Sequence, residues 1–223
     1  MARREPLTRE KILDVALGIA DEEGLDGLSM RKLAKALGVE AMALYNHVAN
    51  KAEILDGLAD RVFAQLPRAD PEQEWHERIR TLAHAMYRLL SKHPVVPRAI
   101  VTDQANPRTL AAIRPIDDMV GALFEAGFDD DGVRRAFGTL NSVIYGSLML
   151  STVGFDRPLG GSTRPEKLDV FVRVVNPETL PHFSRLLRAL PGSDPEQDFV
   201  WAIDRVISGL VAESERLDRR RSR

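Results

Sequence analysis

The sequence predicts an all-α protein with a small N-terminal helical domain followed by a larger helical one. Three observations lead there. Apolar residues recur at intervals of three and four through most of the chain. Alternating strand patterns bounded by turn residues are scarce. The segment Leu66-Pro67-Arg68-Ala69-Asp70-Pro71 interrupts the helical pattern with two prolines. At 223 residues the chain exceeds the roughly 100–150 typical of one domain. A cut at that segment divides it into 1–66 and 67–223.

The first helix begins at Thr8, an N-cap after Pro6, carries Ile12, Leu13, Ala16, Ile19 and Ala20 on its apolar side, and stops at Gly24. Ser29 caps a second, short helix from Met30 to Leu37, with Leu28 and Leu33 placed to form a hydrophobic staple. Gly38 interrupts it, and a third helix runs through Ala41 to His47. Asn50 caps the fourth, paired with Glu53 in a capping-box pattern, and Ile54, Leu55, Leu58, Val62 and Phe63 form its apolar side. Beyond the prolines, helices are expected at about 73–92, Val95–Val101, 107–126, 130–152, 178–190 and 195–219. Residues 154–167 read as a loop, and 168–175 fit a strand or a helix. The basic tail Arg216 to Arg223 reads as a frayed helix end whose cations suit the helix dipole, with assistance to DNA binding as the alternative.

Composition excludes several classes of function. The 44% hydrophobic content supplies a core, and the absence of cysteine removes disulfides, thiolate metal sites and cysteine nucleophiles. A net charge of −2 argues against coating nucleic acid by bulk electrostatics, so any such contact needs a localised patch. No apolar run reaches the roughly 18 residues of a membrane span, and Met1–Pro6 lacks the apolar stretch of a signal peptide. A cytoplasmic protein with no membrane partner is expected. No nucleophile–base pair, glycine-rich phosphate loop or metal constellation is present, so no catalytic residue, cofactor or metal is expected. His76-Glu77 opens a His-Glu-x-x-His pattern, but Arg80 holds the second histidine's position. His84, His93 and His182 read as lone structural histidines.

The chemistry lies near residue 40. A helix-turn-helix needs a small residue where its helices touch, a turn residue tolerant of positive φ, and an inward apolar residue on the second helix. Ala34, Gly38 and Leu44 fill these roles at offsets of four and six. With Leu44 buried, the 100° helical step turns Ala41, Met42 and Tyr45 outward, onto the face that enters a major groove. Arg31, Lys32 and Lys51 border that face at helix starts, positions suited to phosphate contact.

Leu7 to Phe63, with Ser-Met-Arg-Lys-Leu-Ala, Leu-Gly-Val, Leu-Tyr-Asn-His-Val and Asn-Lys, resembles the TetR family of bacterial repressors. The resemblance implies that Arg31 touches base or phosphate, that Ala41 and Met42 face bases, and that Tyr45, His47 and Lys51 touch phosphates. Lys32 and Asn46 join this candidate surface. Two positions depart from the pattern: Met30 stands where a hydroxyl residue is common, and Asn46 where an aromatic one is. The implied architecture is a three-helix DNA-binding domain joined by a fourth helix to a C-terminal helical ligand-binding and dimerisation domain. Its implied partners are double-stranded operator DNA, a second copy of the chain and a small-molecule effector.

Ala126-Gly127-Phe128 followed by a helix containing Gly146 resembles the tetracycline-repressor branch. By offset, however, Asp103 and Leu150 stand where that branch's metal–drug site has histidine and glutamate, so the resemblance does not extend to a tetracycline–magnesium effector. Met86, Tyr87, Leu90, Ile113, Asp117, Asn141 and Tyr145 could line a mostly apolar effector pocket or simply pack a core. The helices at 130–152 and 195–219 are apolar over most of their circumference and bury more than one face, as a dimer interface would. Two other readings stay open: a helical-bundle enzyme or ligand carrier that uses the N-terminal domain for assembly, and a transcriptional activator.

Overall fold

A computed structural model describes residues 6–151, 175–189 and 194–222, and every regular element among them is a helix. In order these are α1 (Arg9–Gly27), α2 (Met30–Leu37), α3 (Ala41–Leu44), α4 (Lys51–Phe63), α5 (Trp75–Lys92), α6 (Val95–Val101), α7 (Leu110–Glu125), α8 (Asp130–Met149), α9 (Pro181–Ala189) and α10 (Pro195–Arg221). The loop expected over 154–167 and the segment 168–174 lie outside the described residues. The chain forms two compact units, Met1–Asp70 with Leu89–Met119 and Pro71–Arg88 with Val120–Arg223, so the division falls within α5 and α7.

In the first unit, Thr8 Oγ1 accepts from the Lys11 amide at 3.2 Å and starts α1. The helical path breaks at Gly24, where φ is 75°, as the glycine predicts, but a further turn carries the helix on to Gly27. That turn exists because Leu25 has a place in the core, where it is buried with Leu28. α4 packs against both α1 and α6, which covers more of its surface than a single apolar stripe would require. Ile54, Leu55, Leu58, Val62 and Phe63 are buried as expected, and so are Asp56, Gly57 and Ala59. Gly57 marks the close approach to α1: a Cβ there would lie 2.9 Å from Leu13 Cδ2.

In the second unit α8 and α10 pack along each other. Leu140, Ile144 and Leu148 on one, and Phe199, Ile203 and Ile207 on the other, are buried. Tyr87 stacks on Phe199 with ring centroids 4.2 Å apart and donates its hydroxyl to the Pro195 carbonyl at 3.1 Å. The end of α10 is tied to the turn before α8. Ser214 Oγ donates to the Ala126 carbonyl at 2.6 Å, and Arg221 Nη2 to the Gly127 carbonyl at 2.8 Å. The basic tail is therefore not frayed: the helix continues to Arg221, and Arg216 and Arg219 pair with Glu213 and Glu215 one turn back. Arg80, in the place of a second metal-binding histidine, bridges Glu77 and Asp204.

Two glycines separate backbone cost from packing. Gly18 lies within α1, and a methyl group added there would meet nothing within 4 Å, so Gly18→Ala should raise stability by about 0.5–1 kcal/mol. Gly57→Ala should lower it by roughly 1–3 kcal/mol, because buried Leu13 must move. Urea midpoints of the full chain check both signs.

Candidate nucleic-acid interface

The residues from Ser29 to Lys51 form a platform that holds one short helix outward. Ser29 Oγ accepts from the Lys32 amide at 3.3 Å, and Leu28 and Leu33 are both buried, as the staple pattern requires. At the other end of α2, Gly38 takes φ 66° and ψ 36°, a left-handed conformation that costs a residue with a Cβ about 1–2 kcal/mol. Its amide bonds to the Lys35 carbonyl at 3.2 Å and the Val39 amide to the Ala34 carbonyl at 3.0 Å, which satisfies carbonyls at the end of α2.

α3 is shorter than the sequence pattern predicts. The α-helix spans Ala41–Leu44, and Tyr45 to His47 close as a turn, with the His47 and Val48 amides both bonded to the Leu44 carbonyl at 2.9 and 3.0 Å. The reason is burial on a tight schedule. Leu44 and Val48 are both in the core, and Asn50 must start α4 two residues later. Asn50 Oδ1 accepts from the Glu53 amide at 2.9 Å, while the Glu53 carboxylate returns to the Ala49 amide at 2.7 Å. The reciprocal bond thus reaches one residue further back than in a standard capping box.

The predicted surface residues come together around α3, with different freedom. Met42 is 74% exposed and Tyr45 46%; Arg31 and Asn46 are exposed, and Ala41 and His47 half-buried. Arg31 makes no ion pair among the described residues. Lys32 pairs with Glu23, and Lys51 Nζ donates to the Leu25 carbonyl at 2.6 Å, bracing the end of α1. Lys51 therefore has a structural bond besides any contact its remaining donors make.

A pair of carboxylates on α4 escapes a reading by residue spacing. Asp60 Oδ1 accepts from the Arg108 amide at 2.6 Å, the Thr109 amide at 2.8 Å and the Thr109 hydroxyl at 3.2 Å, capping the start of α7 from a different helix. Asp56, buried, accepts from the Asn106 amide at 2.9 Å and pairs with Arg108 at 2.8 Å. The one signal in the sequence is an aspartate inside the apolar run of α4; its partners are too distant along the chain for periodicity to find. Arg68 donates two bonds to Asp118 at 2.8 and 3.1 Å, which holds that carboxyl below its ordinary range. His93 Nδ1 lies 2.8 Å from Asp21 Oδ2.

The candidate effector residues are divided between the two units. Met86, Tyr87, Asn141 and Tyr145 belong to the second unit. Leu90, fully buried, and Ile113 and Asp117, both exposed, belong to the first. Asn141 Nδ2 donates to the Phe137 carbonyl at 3.1 Å. Burial pushes the Tyr145 phenol up to about 12, so it stays a hydrogen-bond donor throughout the physiological range. A cavity of about 510 Å³ lies elsewhere, between Phe128, Arg135, Leu210 and Leu217. Among the described residues no three histidines or carboxylates gather as metal ligands, and no helix is long and apolar enough to cross a membrane.

Residues 66–214 match the family model described as the tetracyclin repressor-like C-terminal domain, and residues 12–58 match that of the bacterial regulatory proteins of the tetR family. The chain belongs to the TetR family. It is 40% identical over 210 residues to the class D tetracycline repressor protein of Escherichia coli, covering 92% of this chain and 89% of that one. It is 39% identical over 92 residues to the HTH-type transcriptional repressor DrrR1 of Streptomyces coeruleorubidus, where the match spans 40% of this chain and 33% of that protein. The fold is also that of the Streptomyces coelicolor TetR family protein ActR, solved in complex with actinorhodin. That likeness has a TM-score of 0.74 and 24% identity, and covers 94% of this chain and 99% of that one. As a TetR-family member the chain is a DNA-binding transcriptional regulator with its helix-turn-helix at the N-terminus, and the regular elements of its described residues are all helices.

The α4 carboxylates give this region its test. Asp60→Ala should lower stability by about 1–2 kcal/mol, the worth of a lost helix cap. It should also speed amide exchange at Arg108 and Thr109 while leaving helix content unchanged, as read by hydrogen-exchange mass spectrometry of the full chain.

Proposed function

We propose that this TetR-family regulator is a homodimeric, cytoplasmic repressor that holds operator DNA through α3 and releases it when a small molecule binds its C-terminal helical part. In this reading residues 1–66 read DNA and 67–223 bind the effector and dimerise. The observation that carries it is the outward surface of α3 and the turn that follows it, where Met42 and Tyr45 stand exposed on either side of fully buried Leu44. An exposed apolar face of this kind on a helix-turn-helix fits a major groove. Lys32, Asn46, His47 and Lys51 surround it and serve the phosphates, with Tyr45; Arg31 reaches base or phosphate, while Ala41 and Met42 face the bases.

Dimerisation is supported by α10, where Trp201 is 67% exposed with the Arg205 guanidinium 5.9 Å from its ring centroid. Its neighbours Phe199 and Ile203 are already buried within the chain, so Trp201 is left for a partner. Two copies place two reading helices about 34 Å apart, one turn of DNA. For the effector, Tyr87, Asn141 and Tyr145 offer a stacked ring, an amide and a protonated phenol among apolar side chains such as Met86. The class D relative is named for tetracycline, but Asp103 and Leu150 at the metal–drug positions favour an effector of a different kind here. The role is regulation by binding, with no chemical step.

Fluorescence anisotropy of the full chain on operator duplexes selected from a random library tests this reading. Binding should weaken steeply with salt, and Arg31→Ala should reduce the log–log salt slope by about 0.9 while weakening unrelated duplexes as well. A salt-independent signal, or no binding to any duplex, would contradict the reading.

A further inference from the structure

The composition of α3 restricts how bases can be read. Its four residues are Ala41, Met42, Ala43 and Leu44, and Leu44 is fully buried. The helix itself therefore offers no strong side-chain donor or acceptor, and the hydrogen-bonding groups of Arg31, Tyr45 and Asn46 lie beside it. A base pair in the major groove is distinguished by donors, by acceptors and by one apolar mark, the C5 methyl group of thymine. Of the side chains on α3 itself, the long apolar one of Met42 is suited to that mark.

Met42 is placed for the task. At 74% it is the most exposed large apolar side chain among the described residues. An unbranched thioether left in water gains by burial, and its flexible chain adapts to the partner's shape. The half-buried alanines on either side leave it standing alone. Glu40, just before α3, makes no side-chain cap bond, and its charge is repelled by the phosphates of any duplex that approaches. Two cations at the border already have partners, Lys32 with Glu23 and Lys51 with the Leu25 carbonyl, which directs them toward the platform rather than across the top of α3.

We infer that Met42 is a thymine-methyl reader: each operator half-site carries a T·A pair facing Met42, and its recognition depends on the C5 methyl group rather than on a hydrogen bond. This rests on the reading of α3 as the helix in the groove. The test uses the full chain and a duplex that it selects from a random library. Each thymine is replaced in turn by deoxyuridine, which removes the methyl and leaves every hydrogen-bonding group in place. At one position per half-site the replacement should weaken binding about fourfold, the worth of one buried methyl group, and Met42→Ala should bring the thymine-to-uracil ratio there close to one. Met42→Gln supplies a bidentate partner for adenine and should shift selection toward A at the same position. Because Met42 is exposed, these variants keep the fold, which circular dichroism checks. A ratio of one at every thymine overturns the inference and leaves the DNA-binding reading standing, as does a ratio that persists in Met42→Ala. Failure to enrich any duplex overturns both.

Discussion

A helix of four residues cannot hold itself together, since forming the first turn fixes several residues for a single hydrogen bond. Yet α3, at that length, is the element that, on the proposed reading, is presented rigidly to DNA. Its order is borrowed from its surroundings. Leu44 and Val48 anchor it in the core, the left-handed Gly38 sets its angle to α2, and Asn50 begins the next helix before the chain can wander. Each neighbour is in turn held: α2 by the Ser29 cap and the buried Leu28 and Leu33, α4 by α1 and α6. The first unit can be understood as the support of one exposed turn of helix.

The same constraint explains why charge is arranged as it is. A protein with a net charge of −2 does not attract DNA as a whole, so on the proposed reading the cations near α3 act locally. Two of them also brace the platform, Lys32 through Glu23 and Lys51 through the Leu25 carbonyl, while Arg31 remains exposed. The acids serve a different end. Asp56 and Asp60 spend their lone pairs on Asn106, Arg108 and Thr109, which fastens the start of α7 to α4 within the first unit. A carboxylate that accepts two backbone amides is a directional clamp, and displacement of the 106–109 turn would be felt by α4 itself.

What is legible in the sequence follows from the range of each interaction. The caps at Thr8, Ser29 and Asn50, the turn at Gly38 and the inward Leu44 are local patterns, and each lies where the spacing predicts. Helical periodicity overestimates α3 because it continues through Tyr45 to His47, whereas the backbone there closes as a turn under the demand of Val48 and Asn50. It underestimates the tail of α10 because the anchors of that tail, Ala126 and Gly127, are remote in sequence. The Asp56 and Asp60 clamp is hidden for the same reason. The effector residues are the hardest to read, since a ring such as that of Tyr87, stacked on Phe199, satisfies core packing and pocket lining equally well.

If the surface between Ser29 and Lys51, built around α3, is where DNA lies, the backbone there must be shielded when a duplex binds. Amide hydrogen exchange of the full chain, free and bound to a duplex that it selects, tests this most directly. Protection concentrated over residues 29–51, strongest around Met42 to His47, is the predicted result. Protection confined to residues 71–222, with 29–51 exchanging as in the free protein, would contradict it.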